Sequence, residues 1–429
     1  MGWGRYLYSA ALYGASPLIW RRIWSEQVLT HPRRQRLGLI PPTPPGARMI
    51  WLHCASVGEV QAARPLIQAL LARYPAHRLT VTTMTATGAE RVLALVDAQD
   101  DGNAPVRLIH RFVPLDFPGA ARRFVERLDP VVAVFFETEL WPNLLHACQR
   151  QGVPVMVANG RLSPRAYRGY RRVAALMREA LGHVDWLAAK SAADAERFQA
   201  LGMPASKIAV VGSLKFDITP DAWSIKVGES LLTCLRGRPV WVAGSTHAGE
   251  DEQLLAAHAR LRKHLPDALL ILVPRHPHRF EPVAALCENA SLAVARRSRA
   301  EWPGADTAVY LGDTMGELLS LYAAADLAFV GGSLVPIGGH NLLEPAAMGV
   351  PVLSGPEIAN FVDVAEVLRN ANALVEVSDA EDLAETLERL FNDAQERARL
   401  AKAGRQVVEA NRGALARTTD GLARLIDGE

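Results

Sequence analysis

From Met49 onward the sequence repeats one pattern: a short apolar, β-prone run, then small, polar or charged residues, then a stretch of helical periodicity. Neighbouring parallel strands need a crossover of about a dozen residues or more, usually a helix, so this alternation points to parallel sheets covered on both faces. The runs expected as strands are 49–53, 79–84, 131–136, 153–158, 186–188 and 208–211, then 240–243, 269–273, 308–311, 327–330 and 350–353. The stretch 212–239 between the two sets carries no strong strand signal and marks a domain junction. The expected fold class is α/β, with two doubly wound, Rossmann-like domains. A length of 429 residues agrees, since a single core stops growing beyond about 250–300 residues.

Composition removes several classes of function. With 49% hydrophobic and 21% charged residues the chain is neither disordered nor collagen-like. A formal charge of +2, from 47 basic and 45 acidic residues, leaves no basic excess for nucleic acid, so no nucleic-acid partner is expected. Cys54, Cys148, Cys234 and Cys287 are too widely spaced for a C-x-x-C pair or a disulfide framework, and read as free thiols in a reducing cytosol. No G-x-G-x-x-G follows the first strand and no G-x-x-x-x-G-K-[ST] occurs, which counts against dinucleotide dehydrogenases and P-loop NTPases.

Residues 6–20 (YLYSAALYGASPLIW) are apolar and aromatic, but shorter than the roughly 20 residues that span a bilayer, and Pro17 interrupts them. Trp3, Trp20 and Trp24 suit interfacial positions, and Arg21, Arg22, Arg33, Arg34 and Arg36 place the following chain in the cytoplasm by the positive-inside rule. No A-x-A-like cleavage site follows a clean apolar core, which argues against a signal peptide. The expectation is membrane association through a short span or an interfacial helix, set against a packed core helix. Pro41, Pro42, Pro44 and Pro45 then form a stiff linker.

Open α/β sheets bind ligands beyond the carboxyl ends of their strands, so the residues after each run carry the functional expectations. Ser56 and Glu59 read either as an S-x-x-E capping box at a helix start, the reading the local sequence favours, or as a glycine-flexed loop that offers the Glu59 carboxylate as a general base. Glu137 and Glu139 end a strongly apolar strand, which reads either as charge at a helix start or as acids held there for chemistry. Residues 161–172 (RLSPRAYRGYRR) hold five arginines and no acid; such a run is a solvated face or a grip for phosphates at a membrane surface. Lys215, where the chain leaves the first domain, is either solvated or placed to neutralise developing charge. Gly331, Gly332, Gly338 and Gly339 flank a loop leading into Asn341-Leu342-Leu343-Glu344, where a helix start offers N–H groups to a phosphate. His247, His276, His278 and His340 follow separate strands without an H-E-x-x-H pair, which favours hydrogen bonds to phosphate over metal ligation.

In order along nearly the whole chain stand the strings ASVGEV, ETELWPN, NGRLS, GSLKFD, GSTHAGE, VPRHPHRF, DTMGEL and GGSLVPIGGHNLLEPAAMGVPV. Together they resemble the 3-deoxy-D-manno-octulosonic acid (Kdo) transferases of lipopolysaccharide assembly. The resemblance implies two Rossmann-like domains facing a cleft, the GT-B glycosyltransferase type. It implies transfer of Kdo from CMP-Kdo to the tetraacyl disaccharide bisphosphate precursor of lipid A (lipid IVA), with inversion, without cofactor or metal, at the cytoplasmic face of the inner membrane. The division expected from it is a membrane-associated segment 1–30, an acceptor-binding domain 31–215, a linker 216–238, a CMP-sugar-binding domain 239–405 and a helix 406–429 crossing back to the first domain. The matching positions are Glu59 as proton acceptor and Glu137 and Lys215 as transition-state stabilisers. CMP contacts match at Arg275, His276, Met315, Gly316, Glu317, Asn341, Leu342, Leu343 and Glu344. Arg161, Arg165 and Arg168 are the expected grip on acceptor phosphate. Another nucleotide-sugar transferase or an epimerase on this fold is the alternative.

Overall fold

A computed structural model describes residues 3–25, 33–98, 106–218, 222–235 and 237–428. Residues 1–2 and 26–30 of the expected N-terminal segment, 31–32 and 99–105 of the expected first domain, 219–221 and 236 of the expected linker, and 429 of the expected C-terminal helix lie outside the described residues. The chain forms two compact units, Met1–Asp217 with Arg412–Glu429, and Ile218–Asn411.

The first unit is built on seven parallel strands: β1 (Arg48–His53), β2 (His77–Thr83), β3 (Leu108–Phe112), β4 (Pro130–Phe136), β5 (Val155–Gly160), β6 (Trp186–Ala189) and β7 (Ile208–Val210), ordered β3-β2-β1-β4-β5-β6-β7. Side chains alternate between faces, so Met49 and Trp51 of β1 join Phe135 and Val157 in one core, while Ile50 and Leu52 join Val134 and Met156 in the other. Both faces are apolar because both are covered by helices, which is why these strands read as continuous hydrophobic runs.

The second unit repeats the plan with β8 (Val240–Thr246), β9 (Leu269–Pro274), β10 (Val294–Arg296), β11 (Val309–Leu311), β12 (Leu327–Val330), β13 (Val352–Ser354) and β14 (Leu374–Glu376), ordered β10-β11-β9-β8-β12-β13-β14. Trp241, Leu270 and Phe329 pack on one face, and Val242, Ile271 and Ala328 on the other. Strands β3, β10 and β14 are absent from the expected set, and all three are sheet edges. An edge strand pairs on one side only and tolerates polar residues, and LIHRF, VAR and LVE are short or interrupted by charge.

The expected boundaries shift in two places. The stretch 216–238 contains the helix Ala222–Leu235, which belongs to the second unit and is not an open linker. Position 406 falls inside the helix Ala394–Asn411; the chain turns at Gly413 (φ 91°), and the returning helix is Ala414–Asp427. The carboxylate of Asp217 holds that return by accepting the N–H groups of Gly413 (2.7 Å) and Leu415 (2.6 Å).

The N-terminal segment is one helix, Trp3–Ser25, containing Pro17. Among the described residues no helix is long and apolar enough to cross a membrane. One side packs on the first unit: Leu12, Ile19, Trp20 and Ile23 lie against Leu115 and Phe117, and the Asn143 amide reaches the Ser9 hydroxyl (3.1 Å). The other side leaves Trp3 (82%), Leu7 (69%) and Leu18 (72%) in solvent, with Tyr6 and Tyr13 also exposed.

Candidate active site

Each sheet has one position where strand order reverses, between β1 and β4 in the first and between β8 and β12 in the second. Crevices at the carboxyl ends of such strands are where doubly wound sheets take their ligands.

In the first unit β1 runs into Ser56, the N-cap of the helix Val57–Arg73, whose hydroxyl oxygen accepts the Glu59 N–H at 3.4 Å. The Glu59 carboxylate folds back, accepting the Ser56 hydroxyl at 3.0 Å and the Ala55 N–H at 2.8 Å. The capping box is thus formed, reaching one residue further back than usual. Those hydrogen bonds favour the ionised acid, but burial and then the neighbouring charges of Glu139 and Glu137 outweigh them and push the Glu59 carboxyl up to about 7. The carboxyl that closes the cap is therefore the one whose proton affinity is raised.

Glu137 follows β4 with φ 59°, a left-handed conformation rare for a residue with a Cβ, while its N–H still bonds the Ala158 carbonyl at 2.9 Å. The next helix, Pro142–Arg150, has Trp141 at its N-cap, so Glu137 and Glu139 lie outside its first turn and the helix-start reading fails for both. Glu139 accepts the Trp141 indole N–H at 2.6 Å, and its Oε2 lies 3.7 Å from Nε2 of His53, the buried last residue of β1. Burial acts to raise the Glu139 carboxyl, but the His53 ring and the Trp141 indole together hold it below the usual carboxylate range.

Lys215 sits in the short 3-10 turn Leu214–Phe216, half-buried. Ser213 caps that turn, and the Leu214 N–H reaches Oδ1 of Asn159 (3.5 Å) beside the carboxyl end of β5, one strand from Glu137. The turn is clamped from its other side by Asp217 and the returning helix. Arg161, Arg165 and Arg168 are exposed on the segment that follows β5, and the helix Pro164–Arg171 buries no side chain. The Thr138 hydroxyl donates to the Arg161 carbonyl, tying this basic segment to the loop that holds Glu137 and Glu139.

In the second unit the corresponding position carries histidines and arginine. His247 follows β8, Arg275 and His276 follow β9, and His340 lies in the loop after β12. The His247 and His340 Nε2 atoms are 2.8 Å apart, and the His276 ring stands edge-on to His247 at 5.4 Å. The glycine loop is held from beneath by Glu250, fully buried, whose carboxylate accepts the N–H groups of Gly332 (2.7 Å), Ser333 (3.0 Å), Leu334 (3.0 Å) and His247 (3.2 Å). Gly331 is required there, because a Cβ would lie 2.8 Å from that carboxylate.

Asn341 and Glu344 hydrogen-bond to each other (3.2 Å), and Arg275 acts electrostatically on Glu344, so these three expected residues share one neighbourhood. Leu342 and Leu343 are buried beneath them. Met315, Gly316 and Glu317 follow β11, next to β9 in the sheet. The Glu317 carboxylate is held by Arg297 (2.7 Å) and the Thr314 hydroxyl, so it shapes the loop, while Met315 and Gly316 are exposed. Among the described residues no group of three or more His, Cys, Asp or Glu could hold a metal ion.

Sequence reasoning overlooked His53 and Glu250. A lone histidine ending a strand carries no local signal, and Glu250 reads as a helix-start acid although its partners lie some 80 positions onward.

Comparison with known proteins bears on these sites. The family model described as 3-deoxy-D-manno-octulosonic-acid transferase matches residues 31–218, and that of glycosyl transferases group 1 matches 251–407. The 3-deoxy-D-manno-octulosonic acid transferase of Haemophilus influenzae is 39% identical over 426 residues, covering 97% of each chain. That of Bordetella pertussis is 38% identical, covering 98% of this chain and 99% of its own. A glycosyltransferase structure from Rickettsia africae aligns with TM-score 0.53 and 15% identity, covering 89% of this chain and 99% of its own, a likeness of fold. The architecture is that of GT-B glycosyltransferases.

Proposed function

Because the chain belongs to the 3-deoxy-D-manno-octulosonic acid (Kdo) transferase family, we propose that it moves Kdo from CMP-Kdo to the tetraacyl disaccharide bisphosphate precursor of lipid A, inverting the anomeric centre. The observation that carries this reading is Glu59, a carboxyl pushed up to about 7 at the carboxyl end of β1. A base with that affinity accepts a proton near neutral pH and still has a large ionised fraction. In the proposed reaction Glu59 takes the acceptor hydroxyl proton as the oxygen attacks the anomeric carbon. The bond from that carbon to the CMP phosphate oxygen breaks, and its electron pair leaves on the phosphate.

Glu137 and Lys215 flank the developing charge in this scheme, as stabilisers of an oxocarbenium-like centre and of the departing anion. Arg275, His276 and the residues 315–317 and 341–344 hold CMP. Arg161, Arg165 and Arg168 take the acceptor phosphates, where guanidinium forks suit phosphate oxygens.

The acceptor is a lipid, and the solvent-facing side of the helix Trp3–Ser25 supplies the matching surface. Trp3, Tyr6, Leu7, Tyr13 and Leu18 together expose apolar area that water disfavours and a bilayer interface accepts. The proposed location is the cytoplasmic face of the inner membrane, with the helix lying in the interface.

The test is a mass spectrum of the lipid after incubation with CMP-Kdo and the tetraacyl bisphosphate acceptor. A gain of one or more Kdo masses is expected. An unchanged lipid from folded protein, or a gain supported by a UDP-sugar instead, overturns the reading.

A further inference from the structure

The histidines of the second unit are arranged in a way that CMP contacts alone do not require. His247 and His340 meet through their Nε2 atoms at 2.8 Å, with rings tilted by only 7° and centroids 5.0 Å apart. At that distance the two nitrogens cannot both carry hydrogen, so one donates and the other accepts. Each position is fixed by neighbouring backbone. The His247 N–H is held by Glu250, and the His340 ring lies 3.0 Å from where a Cβ would sit on Gly332, whose φ is 69°.

The charges that face the pair come from three elements. From the segment after β9, Arg275 and His276 act on both rings, and Arg279 acts on His247. His278 stacks beyond His276 at 5.4 Å. The nearby acids are engaged elsewhere: Glu250 accepts four backbone amides, Asp251 takes the Thr246 hydroxyl and Arg279, and Glu344 takes the Asn341 amide and faces Arg275. Burial first, then these like-charged neighbours, lower both histidines, His340 to about 4. The pair is therefore neutral at pH 7, and an anion brought against it would favour the charged form of one ring.

We propose that the His247–His340 pair is a proton-loading clamp for the donor phosphate: when the phosphate of CMP or CMP-Kdo arrives, the pair opens, takes one proton from solvent, and both Nε2 atoms donate to phosphate oxygens. The clamp rests on the CMP-donor reading given above. The balance is simple. The accepting imidazole gains one proton, the two rings lose one hydrogen bond to each other, and each gains one to the anion. Neither His247 nor His340 needs to move protons to the sugar or the acceptor.

The test is calorimetry of CMP binding to the full chain at pH 7.5, where the second phosphate ionisation, near 6, is largely complete. Titrations in two buffers of different ionisation enthalpy give the protons taken up. The wild-type protein is expected to take up a substantial part of one proton per CMP, with affinity falling as pH rises from 6.5 to 8.5, by at most about tenfold per unit. His247→Gln and His340→Gln each leave one imidazole able to titrate, so the two are combined; together they keep amide donors but cannot titrate, and the protein is expected to bind CMP more weakly, with no excess uptake and a flat pH dependence. Thermal melting of the CMP-free double variant checks that it folds. CMP binding by wild type without proton uptake, or equal uptake by the double variant, overturns the clamp and leaves the donor reading intact. Absence of CMP binding by folded wild type overturns the donor reading and the clamp together.

Discussion

The two units share a parallel seven-stranded plan, yet the crevices at their strand-order reversals are lined by different chemistry. The first gathers Glu59, Glu137 and Glu139 around the ends of β1 and β4; the second gathers His247, Arg275, His276 and His340 around the ends of β8, β9 and β12. Burial first, and then like-charged neighbours, raise proton affinity in the first, lifting Glu59 to about 7, and lower it in the second, dropping His340 to about 4. The same backbone geometry thus carries a cluster of acids in one unit and histidines with arginine in the other. The contrast teaches that chemistry in this fold is set by the few residues beyond each strand, and that the two halves of the proposed transfer can be broken separately.

The largest break is expected at Glu59. Loss of a general base costs about 10²- to 10⁴-fold, so Glu59→Ala should lower turnover by that factor, measured as lipid product per unit time. Near-normal turnover would remove the base from the first crevice. Lys215→Ala should follow with a loss of about 10²- to 10³-fold in kcat, the scale for removing one group that stabilises developing charge. A change confined to KM would make Lys215 a substrate-binding residue instead.

A subtler test adjusts the acidic crevice without removing its base. Glu59 must be ionised to accept a proton, so turnover should rise as pH increases through about 7. After burial, Glu139 contributes most to raising Glu59; Glu139→Gln should therefore shift that rise to lower pH. An unmoved profile would show that burial alone sets the Glu59 affinity. The smallest expected effect lies outside both crevices. Leu7→Ser and Leu18→Ser should each weaken binding to anionic lipid vesicles by about 1–3 kcal/mol, the scale for withdrawing one leucine side chain from an apolar phase. Melting temperature in solution should stay the same, because both side chains already face water.

Central strands were legible because burial on both faces leaves unbroken apolar runs, as in PVVAVFF and LLILVP. Edge strands such as VAR were not, since half of their environment is solvent and nothing in three residues separates them from a loop. Glu59 was legible as a cap and as a candidate base; the cap is formed, and its geometry holds the carboxylate in the buried position that raises its proton affinity. Glu139 was visible in ETELWPN, but its role depends on His53 from another strand, a pairing that spacing along the chain cannot express. The N-terminal helix left a span, a surface helix and a core helix open; packing of Leu12, Ile19 and Trp20 occupies one side, while Trp3, Leu7 and Leu18 keep the other apolar and exposed.

The proposed reaction separates proton transfer, in the first crevice, from donor binding, in the second. It is tested most directly by the CMP dissociation constant of Glu59→Ala measured beside Arg275→Ala. A wild-type value is expected for Glu59→Ala and at least a tenfold weakening for Arg275→Ala, about 1.4 kcal/mol for one lost charge-assisted contact. Equal weakening in both variants, or none in Arg275→Ala, would contradict that separation.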